Sequence, residues 1–166
     1  MSISFRRIEQ KDDAALAKVI KTALEELNYA IEGTVYTDEA TNRMSTCYQE
    51  EGSVYFIAEE NGVLLGGSGI APIPNQNEHY CELQRMFLAS TARGKGIGKA
   101  LMDTCINFAK ESGYDLIYIE TFEHMPQARK LYERSGFEYV DYSLGDTGHF
   151  SCDVKMILPL KTEKRK

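Results

Sequence analysis

Between Ala92 and Leu101 the chain reads ARGKGIGKAL, which packs Arg93, Gly94, Lys95, Gly96, Ile97, Gly98 and Lys99 into one run of alternating glycines and cations. Glycine lets a ligand approach the main chain, and unpaired N–H groups at a helix start attract anions. The chemistry of such a run is the holding of phosphate. Two common phosphate loops fail when tested residue by residue. A magnesium-nucleotide loop, GxxxxGK[ST], ending on Gly98-Lys99 would need glycine where Arg93 stands and a hydroxyl where Ala100 stands. A dinucleotide fingerprint, GxGxxG, starting at Gly96 ends on Leu101. What remains, Arg93-x-x-Gly96-x-Gly98 with Lys95 and Lys99 beside it, suits a diphosphate whose reaction takes place elsewhere.

Other side chains with reactive potential are scattered. Glu82 belongs to a strand-like stretch, Tyr132 to a helix-like one, and His149 and Cys152 to the run Gly148-His-Phe-Ser-Cys-Asp153. A histidine titrating near neutrality serves as a base or a substrate contact, and also as a buried hydrogen-bonded group. With three histidines in all and four cysteines (Cys47, Cys81, Cys105, Cys152) lacking CxxC or zinc-like spacing, neither a metal site nor a disulfide framework is expected.

The elements that must position these residues follow from periodicity. Residues 3–8 alternate as a strand. From Asp12 onward Leu16, Val19, Ile20, Ala23, Leu24 and Leu27 fall on one helical face. The spacing predicts a second helix over residues 38–50, opened by Thr37, after an irregular segment at 28–36. Residues 54–59 and 63–70 flank Asn61-Gly62 as a hairpin. A polar loop at 72–79 leads to a strand over 80–88. Ile97, Leu101, Cys105, Phe108 and Ala109 then mark a helix that ends at Gly113. A strand over 114–121, a helix bracketed by Pro126 and Gly136, and strands near 137–142 and 149–158 complete the chain. The order β-α-α-β-β-β-α-β-α-β-β describes an α/β (α+β) domain, antiparallel in its first half, with strand–helix–strand crossovers in its second.

At 166 residues this is one domain, taken as 1–160 with a solvated basic tail at 161–166. The net charge of −6 excludes the basic face of a nucleic-acid binder. The start, MSISFRRIEQ, lacks the apolar stretch of a signal peptide, and no run approaches a membrane span. A reduced, cytoplasmic setting without a membrane partner is expected.

Arg93-Gly-Lys-Gly-Ile-Gly98 after the strand ending at Leu88 resembles the acyl-CoA-binding motif of the GNAT superfamily of N-acetyltransferases. Met125-Pro-Gln-Ala-Arg-Lys-Leu-Tyr-Glu-Arg-Ser-Gly-Phe137 resembles that family's second motif, NxxAxxxY running into Gly-Phe. The resemblance covers nearly the whole chain, and the paired motifs make it specific. It implies a mixed, mostly antiparallel central sheet with helices on both faces, and acetyl-CoA as acetyl donor. Two positions depart from the pattern. Met125 stands where many members have an asparagine that hydrogen-bonds the cofactor arm, and Ser90 replaces a frequent proline.

Moving an acetyl group from a thioester to an amine requires a neutral amine, a positioned carbonyl, donors for the developing oxyanion, and a proton for the thiolate. The resemblance implies that main-chain groups of Met86, Phe87 and Leu88 pair with the pantetheine arm while residues 93–99 cradle the diphosphate. It makes Tyr132, on the Met125, Ala128, Leu131 face of its helix, the acid that protonates the thiolate. Glu82 then either accepts the amine's proton, directly or through water, binds a cationic substrate, or forms a structural ion pair, for example with Arg85. Cys152 is not needed as a nucleophile because direct attack suffices. Tyr29, Glu32, Tyr36 and Asp38 form an acidic, aromatic region, and Tyr36, Glu82 and His149 are the candidate substrate contacts. The reading is an N-acetyltransferase acting on a small-molecule amine through a ternary complex. Its alternatives are an acceptor that is a protein N-terminus or lysine, and a non-catalytic acyl-CoA sensor. A homodimer through the terminal strands is compatible with either.

Overall fold

The computed structural model of the chain describes residues 2–74, 79–123, 125–145 and 153–160. His149, Cys152 and the tail at 161–166 lie outside them. Among the described residues seven strands form one sheet: β1 (Ile3–Arg7), β2 (Val54–Glu60), β3 (Val63–Pro72), β4 (Tyr80–Leu88), β5 (Leu116–Thr121), β6 (Glu138–Val140) and β7 (Val154–Pro159). Their spatial order is β1-β2-β3-β4-β5-β7-β6. Only β4 and β5 run parallel, because helix α2 (Ile97–Glu111) carries the chain across between them. Every other pairing is antiparallel. Asn61 (φ 53°) and Gly62 (φ 82°) turn the β2–β3 hairpin, both in the left-handed region that a primed two-residue turn requires.

Alternation along the strands divides the core into two layers. Val54, Ile70, Leu83 and Ile117 face α2, where Met102, Cys105 and Ala109 meet them, and Tyr132 of α3 (Pro126–Arg134) joins the same layer. Tyr55 and Ile57 face the opposite way, onto α1 (Asp13–Glu26). In α1, Leu16, Ile20 and Leu24 recur every four residues and are fully buried. Each such side chain contributes about 1.5–3 kcal/mol relative to exposure. That stripe fixes the face by which α1 covers the sheet.

The expected helix over 38–50 is not there. Glu39–Thr46 form 3₁₀ turns broken at Arg43 (φ −144°, ψ 50°). The sequence in this stretch gives its hydroxyls backbone acceptors: Thr41 Oγ1 donates to the Val35 carbonyl at 2.7 Å and Thr46 Oγ1 to that of Arg43 at 2.9 Å. Such local bonds compete with a regular helix. Asp38 rather than Thr37 caps the segment, accepting from Ala40 N at 3.0 Å.

Two irregularities in β4 prepare the site. Pairing with β5 covers Tyr80↔Leu116, Cys81↔Ile117 and Glu82↔Tyr118 and then stops, although both strands continue. The sheet forks there. On its other edge, β3 is matched Gly67↔Phe87 and then Gly69↔Gln84, so that Ser68 faces both Arg85 and Met86. This bulge places Arg85 at φ 49°, a left-handed conformation that a bulky residue adopts only when its surroundings enforce it. Tyr55 donates its hydroxyl to the Arg85 carbonyl at 2.7 Å, and the Arg85 guanidinium pairs with Asp38. Glycines in β3 let it press against the bulged strand: a Cβ on Gly66 (φ 152°) would stand 2.1 Å from the Phe87 carbonyl oxygen.

Candidate active site

A cleft of about 640 Å³ runs from the fork toward the start of α2. Met86, Phe87 and Leu88 line one wall; Met125, Ala128, Leu131 and Tyr132 line the other; Arg93, Gly94, Gly96, Gly98 and Lys99 close the far end. Gly96 (φ 80°) caps α2, and Ala100 N donates to its carbonyl at 3.2 Å. The N–H groups of Ile97, Gly98 and Lys99 therefore precede the first acceptor in the helix. A Cβ on Gly94 or Gly96 would meet nothing within 4 Å, so the loop has open space before it. The far end gathers helix-start N–H groups with Arg93 and Lys99, an arrangement suited to an anion, and the walls leading to it are apolar.

The cradle's side chains have partners of their own. Arg93 donates through Nε (3.1 Å) and Nη2 (2.9 Å) to the Leu88 carbonyl and pairs with Glu26 at 3.2 Å. Lys99 Nζ reaches Asp103 at 2.8 Å, one helical turn on. Lys95 is exposed and does not line the cleft. The Ile97 side chain is buried with Ala92 and Leu101, which leaves only its main chain to face a ligand.

At the fork the cleft adjoins an inner pocket of about 60 Å³, room for a few atoms. Met86, Phe87, Met125 and Tyr132 border both spaces. Tyr132 thus stands at the junction, buried, with its ring tilted against Phe137 at 5.9 Å between centroids. Pro126 at the first turn and Ser135 at the C-cap bracket the nine residues of α3 that hold it there. Thr121 Oγ1 points to the Met125 sulfur at 3.7 Å, in the place where the family pattern has an amide.

Glu82 lies on the opposite side of this pocket, at the last residue pair before the strands part. It is 6% exposed, and burial pushes its carboxyl up to about 7; Glu120 nearby acts in the same direction, while the Gln84 hydrogen bond and Arg85 oppose it. Gln84 Nε2 donates to Glu82 Oε1 at 2.8 Å, and the Tyr118 hydroxyl donates to Glu120 at 2.7 Å. Because Glu82 and Tyr118 are direct neighbours across the sheet, alternation puts Gln84 and Glu120 on their face, the α1 side. The anticipated ion pair between Glu82 and Arg85 does not form, since the bulge turns Arg85 to Asp38 instead.

Tyr36 is not among the pocket's walls: its hydroxyl donates to Glu25 at 2.7 Å on the surface, and Val35 lines the pocket in its stead. Phe122, stacked on Tyr29 with centroids 4.1 Å apart, closes the pocket on the α1 side. Sequence reading missed Tyr48, Gln84, Glu120 and Phe122. A signal for two of them existed: polar Glu82 and Gln84 alternate with apolar Cys81 and Leu83, and Glu120 follows Ile119, in strands otherwise buried on both faces. Among the described residues there is no cluster of three or more metal-ligating side chains, and no helix is long and apolar enough to cross a membrane.

Comparison with known proteins agrees with the geometry. Residues 18–137 match the family model for the acetyltransferase (GNAT) family. The chain is similar to the uncharacterized N-acetyltransferase YjgM of Escherichia coli, at 36% identity over 93% of each chain. It is also similar to rat N-acetyltransferase 8, at 32% identity over 65% of this chain and 50% of the relative. Among solved structures, a GNAT-family acetyltransferase from Staphylococcus aureus superposes with a TM-score of 0.81, at 22% identity, over 96% of this chain and 100% of that one. The acetyltransferase YncA of Salmonella typhimurium, solved with acetyl-CoA, gives 0.77 at 20% identity over 100% and 98%. A family match across most of the sheet, the glycine loop and the tyrosine helix leaves one conclusion: the chain belongs to the GNAT family of acetyl-CoA-dependent N-acetyltransferases.

Proposed function

We propose that this enzyme acetylates a small amine, with the cleft as the acetyl-CoA site and the inner pocket as the place of transfer. The observation that carries the reading is continuity: an anion cradle, an apolar channel and a pocket flanked by Tyr132 and Glu82 form one path. Acetyl-CoA supplies an acetyl group activated as a thioester. The N–H groups at residues 94–99 and the cations Arg93 and Lys99 suit its phosphates, with Lys95 outside the cleft wall. Past Glu82, β4 has no strand partner on its fork side among the described residues, so main-chain groups of Met86, Phe87 and Leu88 are available to the pantetheine arm as a neighbouring strand would use them. The same edge offers N–H donors for negative charge developing on the carbonyl oxygen.

Glu82 serves as proton acceptor. A carboxyl near 7 is largely ionised just above neutrality yet basic enough to take a proton from the bound ammonium, directly or through water, which frees the neutral amine to attack the thioester carbonyl. Tyr132 serves as proton donor to the departing thiolate from the channel side. Glu82, Glu120 and Asp38 outnumber Arg85 around the pocket, which favours an acceptor that arrives as a cation. The Tyr29–Phe122 stack and Val35 enclose that space, and enclosure favours a small molecule over a protein chain. His149 lies outside the described residues, and Tyr36 contributes at most to the outer rim. Free thiols at Cys47, Cys81 and Cys105 suit a cytoplasmic setting, and β1 and β6, the outermost strands of the sheet among the described residues, are the terminal strands through which a homodimer would form.

The test is thiol release from acetyl-CoA against a panel of amines, amino acids, polyamines and peptides. Saturable turnover with small amines is the expected result. Turnover confined to peptides transfers the assignment to a protein acceptor, and tight cofactor binding without turnover makes the protein a sensor.

A further inference from the structure

The residues around Glu82 form a relay whose direction is fixed at its far end. Arg85 pairs with Asp38 and donates from Nη1 to the Tyr48 hydroxyl oxygen at 3.3 Å. A guanidinium has no acceptor, so Tyr48 must accept there and spend its own proton elsewhere. That proton goes to Gln84 Oε1 at 2.6 Å. Burial pushes the Tyr48 phenol up to about 12, which keeps it a donor at any working pH. With its oxygen turned to Tyr48, Gln84 has its amide N–H directed at Glu82 Oε1, 2.8 Å away. The opposite amide orientation would set oxygen against carboxylate. Each bond therefore delivers a donor toward Glu82 and polarises the next.

The fold makes room for this chain specifically. Gly69 lies beneath the Tyr48 ring, where a Cβ would come within 2.9 Å of it, and Tyr55 flanks the ring at 5.3 Å between centroids. Glu82 is also faced by Tyr118 and Glu120 from β5, while Tyr132 from α3 shares the pocket wall. Tyr118 spends its hydroxyl proton on Glu120, whereas Gln84 directs its amide to Glu82. One oxygen held by Gln84 leaves Oε2 to receive a proton.

We propose that Gln84 and Tyr48 are positioning residues for acetyl transfer, tying the Glu82 carboxylate to the Arg85–Asp38 pair so that one oxygen is clamped and the other addresses the fork. The proposal rests on Glu82 as proton acceptor. Asp38 also caps the 3₁₀ turns at 39–46, so the relay joins the acceptor-side segment to the base.

The experiment follows the Glu82 carboxyl by ¹³C NMR titration of glutamate-labelled protein, assigned through Glu82→Gln, in wild type, Gln84→Met and Tyr48→Phe. The same variants are assayed for thiol release with spermidine, tyramine and alanine amide as probe amines. Loss of the Gln84 donor removes a bond to the ionised form, so the midpoint should rise by about 0.5–1 on the pH scale. Tyr48→Phe should raise it less, in the same direction, and stands alone if Gln84→Met does not fold. Turnover at pH 7 should fall about two- to fivefold in parallel, as the ionised fraction of a carboxyl with its midpoint near 7 drops, with KM for acetyl-CoA unchanged. An unmoved midpoint in the folded variants overturns the relay. Full activity in Glu82→Gln instead overturns the base assignment itself, whatever the midpoints do.

Discussion

Replacing Glu82 by glutamine should make the protein more stable and less active at once. The carboxyl is moved from 4.5 to about 7 chiefly by burial. At about 1.4 kcal/mol per tenfold change in proton affinity, that displacement is worth up to about 3 kcal/mol. Its sign follows from which state holds the proton. Between 4.5 and 7 the unfolded chain has released it and the folded chain retains it, so stability falls as pH rises through this window and is flat outside it. A glutamine at this position would keep the shape, still accept from Gln84, and carry no charge to desolvate beside Glu120. The variant should gain little over wild type at pH 4, less than about 1 kcal/mol at pH 5, and about 3 kcal/mol at pH 8. Urea unfolding of both proteins at the three pH values, with equal m-values, measures the difference directly. Thiol release should fall about 100-fold or more, the usual worth of a general base. Equal or lower stability of Glu82→Gln at pH 8 would show that the fold bears no cost for the charge, and the argument for a near-neutral base would go with it.

Three further substitutions probe the rest of the path, with a fourth as control. Tyr132→Phe keeps the ring on Phe137 and removes only the hydroxyl; turnover should fall about 100-fold while calorimetric acetyl-CoA affinity stays put, and an unchanged rate removes Tyr132 as the acid. Gly96→Ala puts a methyl into the open space before the cradle at φ 80°, so acetyl-CoA affinity should drop about tenfold with roughly 1–2 kcal/mol of backbone strain. Gly113→Ala, at φ 85° and also unobstructed but outside the cleft, should show the strain without the affinity loss; equal affinity losses would refute the cradle. Gly66→Ala must displace the Phe87 carbonyl, and unfolding measurements should give a loss of at least about 2 kcal/mol together with weakened acetyl-CoA binding. A neutral outcome there would mean that β3 does not set the position of the cofactor edge.

What the sequence could and could not reveal separates along a physical line. Features written in adjacent residues were legible: the Asn61-Gly62 turn, the four-residue stripe of α1, the glycine cap of α2 and the proline start of α3 are local, and each appears where its residues put it. The failure at 38–50 was also local, because hydroxyl-to-backbone bonds compete with helix in a way that apolar spacing does not register. The chemistry at the fork was harder, since it depends on where two distant strands stop pairing. Nothing in Glu82 or Tyr118 announces the end of the β4–β5 ladder. The Glu82–Arg85 pair looked reasonable at a separation of three, yet the bulge at Arg85 rotates its side chain to Asp38, 47 residues away in sequence. Gln84 then becomes the partner of Glu82, and Tyr48, in a stretch whose spacing suggested a helix that does not form, becomes the partner of Gln84. One left-handed residue thus decides which groups meet Glu82. Its cost, about 1–2 kcal/mol for a side chain in that conformation, is offset by the Tyr55 and Asp38 contacts that hold it.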